Sequence, residues 1–360
     1  QPQMYKDLGL SNKASNLCVA PDTFILTDKG HIQIGDLEDE TVNVWNGEQF
    51  SETTVVKTSE SSNLFRVGLS SGQSLDCTEH HKFYVQNEYG KDAKLTPYNE
   101  LKIGDKFIKS EFPVIEGDKF LTNSYQNGFY SGDGCEVKGK SRIYFYGEKK
   151  GLEKFFDLEQ RIEQPAYDRV YGNHSNLMKK FFVPSSDYSV DCRVAWLAGL
   201  LDSDGSVARN GTNEALQVAS INKPFLLEVQ LMLQTLGVNS KVCFAREEGR
   251  RLLPANNGTG DLKEYNCSEV NRLLISSTGL YQLAKLGLEC ERLKWEVRKP
   301  QRCAEQFSKV LFLQDLEIKS PTYCFKEELR GMGVFNGILT GQCSEIVLHA
   351  DEDHTYTCIL

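Results

Sequence analysis

The sequence predicts an all-β domain interrupted by an α/β domain built from two repeats, and three observations carry that reading. Short β-branched and aromatic runs, separated by Gly, Asp, Asn and Ser, fill residues 18–115. From 116 to 302 the texture changes to longer helical patterns alternating with strands, and two similar segments recur there, "NGFYSGDGC" at 127–135 and "AGLLDSDGS" at 198–206. Between 303 and 342 the chain returns to strands and Gly turns, as though the first domain had been opened and then resumed.

The runs set the individual elements. In the first stretch, "TFILT", "HIQIGDL", "VNVWNG", "TTVVKT", "NLFRVGLS", "QSLDCT" and "KFYVQ" read as short strands of successive hairpins. In the middle, "VAWLAGLL" and "NKPFLLEVQLMLQTLGV" carry helical periodicity, while "SRIYFYG", "SKVCFA" and "RLLISS" read as strands. Each repeat is followed by strand-like and then helix-like sequence. The closing stretch, "FSKVLFLQDLEIKSPTYCFKEELRGMGVFNGILTGQ", reads as short strands again.

Composition bounds the function. The 360 residues, 40% of them hydrophobic, suffice for two or three modest cores. The first residues, "QPQMYKDLGLSNK", lack the basic flank and apolar core of a secretory signal, and no apolar run approaches the roughly 20 residues of a membrane span. A cytoplasmic monomer that makes no membrane contact is expected. Eleven cysteines, odd in number and without metal-like pairs, point to reduced thiols of which at least one does chemistry. A net charge of −9 argues against bulk attraction to nucleic acid. The clusters "GEKKGLEK", "LMKK", "AREEGRR" and "ERLKWEVRKPQR" nevertheless leave a local basic face open in the middle domain, with a solvated surface as the alternative.

The repeat has chemical content. Ala198 and Gly199 leave one side of a helix with little bulk, so two such helices can pack almost backbone to backbone. Asp133 and Asp204 fall at the C-terminal ends of those helices, where the dipole opposes negative charge. Bringing them together calls for a compensating cation, and a hard divalent metal such as Mg²⁺ held by carboxylates suits phosphodiester cleavage. Asp-Gly is also a favoured turn dipeptide.

"LAGLLDSDG" resembles the signature helix of the LAGLIDADG homing endonucleases, and "NGFYSGDG" is similar to a more degenerate first copy. The resemblance implies that Asp133 and Asp204 are metal-binding catalytic acids, that Lys180 in "KKFFVP" and Lys294 are basic residues near the scissile phosphates, and that the partner is double-stranded DNA read by strands in the major groove.

Such endonucleases often sit inside self-splicing inteins, and residues 18–342 resemble one. "CVAPDTFILTDKGHIQIGDL" is similar to an intein N-terminal block, with Cys18 as first residue. "GQSLDCTEHHKF" places Gly72, Thr78 and His81 at the spacing of a second splicing block. "TYCF" and "VFNGILTGQC" resemble the C-terminal blocks. The implied architecture is a horseshoe-shaped, all-β Hint splicing domain in two parts, 18–115 and 303–342, around an endonuclease at 116–302. Residues 1–17 and 343–360 are then the flanking extein segments, which are also the splicing partners.

The chemistry needs these residue types. The Cys18 thiol attacks the Leu17 carbonyl to form a thioester, with His81 protonating the leaving amine and Thr78 orienting the amide or the imidazole. Cys343 then takes the upstream segment as a branched intermediate, and Gln342 cyclises on its own carbonyl to free the product. No cofactor is required for splicing. Three departures stand out: Gly341-Gln342 replaces the usual His-Asn, "RGMGVFNG" offers no histidine, and Cys324 stands where an Asp is usual. Cys324 is read either as an activator of Cys343 or as core filling, and His80 as a substitute for His81. Slower cyclisation is implied.

Joining the flanks gives Asn16-Leu17-Cys343-Ser344-Glu345, which resembles the active-site strand of the ribonucleotide reductase large subunit. Two other readings stay open at this level: a Hedgehog-like autocleavage domain without ligation, and a DNA-binding module whose nuclease is dead.

Overall fold

In a computed structural model of the chain, the described residues are 18–86, 93–108, 110–211, 213–255, 261–300, 308–341, 347–350 and 355–357. The chain divides into two compact units, Gln1–Glu111 together with Glu305–Leu360, and Phe112–Ala304. An interrupted β unit around an α/β unit is thus the observed architecture. Among the described residues, no helix is long and apolar enough to cross a membrane.

The β unit is organised by two long strands that come from opposite sides of the interruption. Phe50–Leu69 pairs antiparallel with Ser308–Phe325, from Val310 opposite Leu69 to Phe325 opposite Val55. The sequence reads these stretches as shorter strands; pairing along their length, with register shifts, keeps them continuous. A second departure is local. "HIQIGDL" is a strand only over Gly30–Gln33, and Ile34–Leu37 turns into a 3₁₀ helix beside Pro21, whose carbonyl accepts from the Gly35 amide. Near the C-terminal end, Ile338–Gly341 pairs with Met332–Phe335 and, through Thr340 opposite Phe83, with Lys82–Gln86. The core between these strands includes Val19, Ile25, Val67, Leu75, Phe83 and Phe335.

The α/β unit repeats one theme twice. Helix α1 (Ser124–Asp133) leads into a four-stranded antiparallel sheet, and helix α2 (Val190–Asp204) leads into a second. Helix α2 begins at Ser189, whose hydroxyl accepts from the Cys192 amide, and gives way to strand at Gly205. It is apolar almost all round and therefore buried on nearly every side. The second repeat adds helices α3 (Lys223–Gln234) and α4 (Ser277–Lys285) against its sheet. In the first repeat the corresponding segment, Gly147–Phe155, is a 3₁₀ helix instead of the expected α-helix. Gly147, with φ of +51°, and Gly151 lower its α propensity.

The two repeat helices touch through glycine. A Cβ on Gly128 would stand 1.8 Å from the Trp196 carbonyl oxygen, and one on Gly199 would stand 1.9 Å from that of Tyr125. Trp196 precedes Gly199 by three residues, as Tyr125 precedes Gly128, so the contact is reciprocal. That is the pseudo-twofold implied by the repeat.

Candidate functional site

The first site forms where the chain enters the β unit. Val19 exchanges both backbone hydrogen bonds with Tyr323, each 3.0 Å, and also bridges to Cys77. Continuing this antiparallel register sets Cys18 opposite Cys324 at a non-hydrogen-bonded position, where side chains come closest. The two buried thiols accordingly pack together, 1% and 3% exposed. Cys324 lies against the candidate nucleophile, and its Sγ is 3.3 Å from the Phe325 carbonyl oxygen.

Thr78 brackets Cys18. Its Oγ1 accepts from the Cys18 amide at 3.2 Å, and its own amide donates to the Cys18 carbonyl at 2.9 Å. The Cys18 amide nitrogen is therefore held by Thr78. His81 follows from a turn in which its amide donates to the Thr78 carbonyl, 3.1 Å. Its ring is fully buried, edge-on to Phe83 and Phe335, with Nε2 3.0 Å from Thr340 Oγ1. The imidazole thus contacts the strand Ile338–Gly341. His80 points outward and pairs with Glu79 at 3.2 Å. Gly72, at φ +88°, makes the turn that brings this block together. Gln342 and Cys343 lie outside the described residues, as do residues 1–17; the described strand ends at the buried Gly341.

The second site lies at the ends of α1 and α2. Lys149 Nζ is 2.5 Å from Asp133 Oδ2 and 4.0 Å from Asp204 Oδ1, so one ammonium joins both acids. Lys180 donates to the Gly132 and Gly134 carbonyls. A cleft of about 220 Å³ beside Asp204 is lined by Ser131, Gly132, Lys180, Ser220 and Phe225, among others. Lys294 Nζ turns to the Cys290 carbonyl, 3.0 Å away. The other acid of the signature, Asp202, is fully buried and accepts from Tyr125 Oη and from the amides of Glu291, Arg292 and Leu293. It anchors the segment after α4. Arg292 caps the end of α2 through the Leu201, Asp202 and Gly205 carbonyls. Lys149 and Arg292 thus supply positive charge that the helix ends require. Lys149 sits in the "GEKKGLEK" cluster, whose charge was legible without its target.

These carboxylates fit a hard divalent cation. Two oxygen ligands converge at helix ends, and Lys149 marks where positive charge is favoured. Among the described residues no group of three or more His, Cys, Asp or Glu converges, so water and phosphate oxygens would complete the shell. Burial pushes the Asp133 carboxyl up to about 6, against the pull of Lys149. Asp204 is raised as well, first by burial.

A stability prediction follows from Asp133, whose side chain is 12% exposed. An acid raised on folding binds more protons folded than unfolded between its two pKa values, so stability falls as pH rises from 3.8 to about 6. Below that window the cost is absent, and above it complete. Asp133→Asn should therefore stabilise the metal-free α/β unit at pH 7 by at most about 2–3 kcal/mol. Calorimetry in a chelator checks this, with no gain expected below about pH 4.

The outer face of the first repeat's sheet carries stacked Tyr and Arg. Arg169 lies over Tyr144, Tyr167 and Tyr171 at 5.5, 4.9 and 5.6 Å, and Arg142 lies over Tyr171 at 5.2 Å. Ile143 and Phe145 point the other way, into the core. Cationic, aromatic sheet faces suit nucleic acid.

A LAGLIDADG-like domain model matches residues 191–284. The ribonucleoside-diphosphate reductase large subunit of Invertebrate iridescent virus 6 is 42% identical over 372 residues, covering 99% of this chain and 38% of the viral protein. The NrdEB alpha subunit of ribonucleoside-diphosphate reductase from Bacillus subtilis is 28% identical, covering 96% of this chain and 37% of that protein. The chain therefore spans under two-fifths of the length of these curated relatives. A bacterial intein-like domain from Clostridium thermocellum is 27% identical with a TM-score of 0.21, covering 26% of this chain and 68% of that one. The viral alignment runs through both the interrupted β unit and its insert. The chain thus carries a LAGLIDADG-like domain in its middle and is similar, over nearly its whole length, to part of ribonucleotide reductase large subunits.

Proposed function

We propose that residues 18–342 excise themselves and join their flanks, and that the inserted domain, 116–302, cleaves double-stranded DNA at the intein-less host site. In this reading the splicing domain comprises 18–115 and 303–342, and segments 1–17 and 343–360 become part of a ribonucleotide reductase.

The observation that carries the splicing reading is the Thr78 bracket around Cys18. Attack of Cys18 Sγ on the Leu17 carbonyl carbon forms the C–S bond and breaks the C–N bond, with the freed amine taking a proton. Thr78 Oγ1 keeps that nitrogen aligned as its amide character is lost. His81, one turn on from Thr78, would give the freed amine that proton. Downstream, the Gln342 side-chain amide nitrogen would attack its own carbonyl carbon and break the bond to the Cys343 nitrogen. Cys343 receives the acyl group by thiol–thioester exchange before that cut, and Cys324 packs against the departing Cys18 sulfur. Since Cys343 would also be the host's reactive thiol, the unspliced chain should lack reductase activity.

A thiol test isolates the first step. With Gln342→Ala blocking the downstream cut, dithiothreitol should release residues 1–17 from the chain, and the Cys18→Ala form should remain whole. Release from both forms would remove Cys18 from the mechanism.

For the nuclease, Asp133 and Asp204 would hold Mg²⁺. When bound it would activate water and stabilise the leaving oxygen. Lys180 stands beside the Asp204 cleft, where it would neutralise a scissile phosphate. The Tyr- and Arg-bearing sheet face would lie on DNA.

A further inference from the structure

The long strand Phe50–Leu69 carries an irregularity beside the thiol site. Thr322 pairs with Ser59 and the next residue, Tyr323, pairs with Lys57, so Thr58 is an extra residue in the ladder. Bulges of this kind re-aim a side chain and gather next to reactive sites. Here the re-aimed group is the Thr58 hydroxyl, which lies 2.9 Å from Cys18 Sγ, 2.9 Å from the Thr322 carbonyl oxygen and 3.1 Å from Thr322 Oγ1.

The hydroxyl has one hydrogen and two acceptors at equal range. While Cys18 is a thiol, that hydrogen is satisfied by the Thr322 carbonyl. When Cys18 loses its proton, rotation about one C–O bond turns the same hydrogen to the sulfur, and no heavy atom has to move. The fully buried Thr322 hydroxyl can donate to the Thr58 oxygen throughout, which strengthens Thr58 as a donor. A buried thiolate among apolar neighbours needs such a donor, because burial disfavours the charged form.

We propose that Thr58 is a catalytic residue of the first splicing step, a bulge-presented hydroxyl that switches its hydrogen bond from the Thr322 carbonyl to the Cys18 thiolate. The inference rests on Cys18 being the splicing nucleophile. It assigns the thiol-activating role to a side chain outside the Thr78–His81 block.

The test compares Thr58→Val, which keeps the shape and removes the hydroxyl, with Thr58→Ser, which keeps the hydroxyl. Both are made in the Gln342→Ala chain. Loss of one hydrogen bond to a charged group should slow dithiothreitol-triggered release about 10- to 100-fold in the Val variant and move its rate–pH profile to higher pH. The Ser variant should stay within about threefold of the parent and keep its profile. An unchanged rate and profile in Thr58→Val overturns the proposal, and so does equal slowing in both variants with no change of profile, which would mark a packing role. Titration of Cys18 by its ¹³Cβ shift reads the thiol without cleavage. A Thr58-dependent titration in a chain that never cleaves would retire the splicing reading and keep the hydrogen bond; a titration indifferent to Thr58 would retire the hydrogen bond.

Discussion

Gly199→Ala is expected to destabilise the α/β unit by more than about 2 kcal/mol, even though alanine gains roughly 1 kcal/mol of helix propensity over glycine. The added carbon would meet the Tyr125 carbonyl oxygen at 1.9 Å, and a backbone atom of a packed helix cannot swing aside as a flexible side chain can. Separating α1 from α2 is the only relief, and it would also pull apart Asp133 and Asp204. Gly128→Ala should behave alike, since its Cβ would stand 1.8 Å from the Trp196 carbonyl oxygen. Gly151 is the control: nothing lies within 4 Å of its added carbon, so alanine there should be neutral or mildly stabilising. Thermal unfolding of the three variants checks the contrast. An unchanged melting temperature for Gly199→Ala would mean that the helices do not meet as described.

The second large effect concerns the acids. Asp204→Asn and Asp133→Asn should each reduce Mg²⁺-dependent nicking of duplex DNA carrying the uninterrupted host sequence by at least about 100-fold, because a bound metal contributes several kcal/mol of charge stabilisation. Both variants should keep their affinity for that DNA and their ability to splice, since the described groups around Cys18, namely Thr58, Thr78 and Cys324, belong to the β unit. Parallel assays of nicking, gel-shift affinity and ligated product separate the outcomes. A wild-type chain that binds the duplex and never nicks it under Mg²⁺ would make the inserted domain a binding module.

Much of this was legible in the sequence, for reasons that can be named. The interruption shows because strand and helix periodicities differ, and the chain changes from one to the other and back. The close helix contact shows because Ala198 and Gly199 remove bulk from one side, and Asp133 and Asp204 show because the same segment occurs twice. What stayed hidden depends on residues meeting from distant elements. Lys149 comes from a 3₁₀ segment that the sequence reads as helix, so its direction toward Asp133 had no periodicity to betray it. Thr340 lies beside His81 only because Ile338–Gly341 pairs with Lys82–Gln86. Thr58 reads as an ordinary strand residue in "TTVVKT"; its exceptional direction comes from a bulge that exists only in the pairing with Ser308–Phe325. The continuity of those two strands was hidden for the same reason, since each is held by a partner more than 200 residues away.

The central claim is that Cys18 and Gln342 mark two coordinated cuts with ligation between them. Intact mass of the chain, expressed with a tag on each flank, tests it most directly when wild type is compared with Cys18→Ala and Gln342→Ala. A product in which Leu17 is joined to Cys343 and residues 18–342 are absent, formed by the wild type alone, is the predicted result. Cleaved fragments without any ligated species would contradict it, and would show that the Gly341-Gln342 junction has uncoupled cutting from joining.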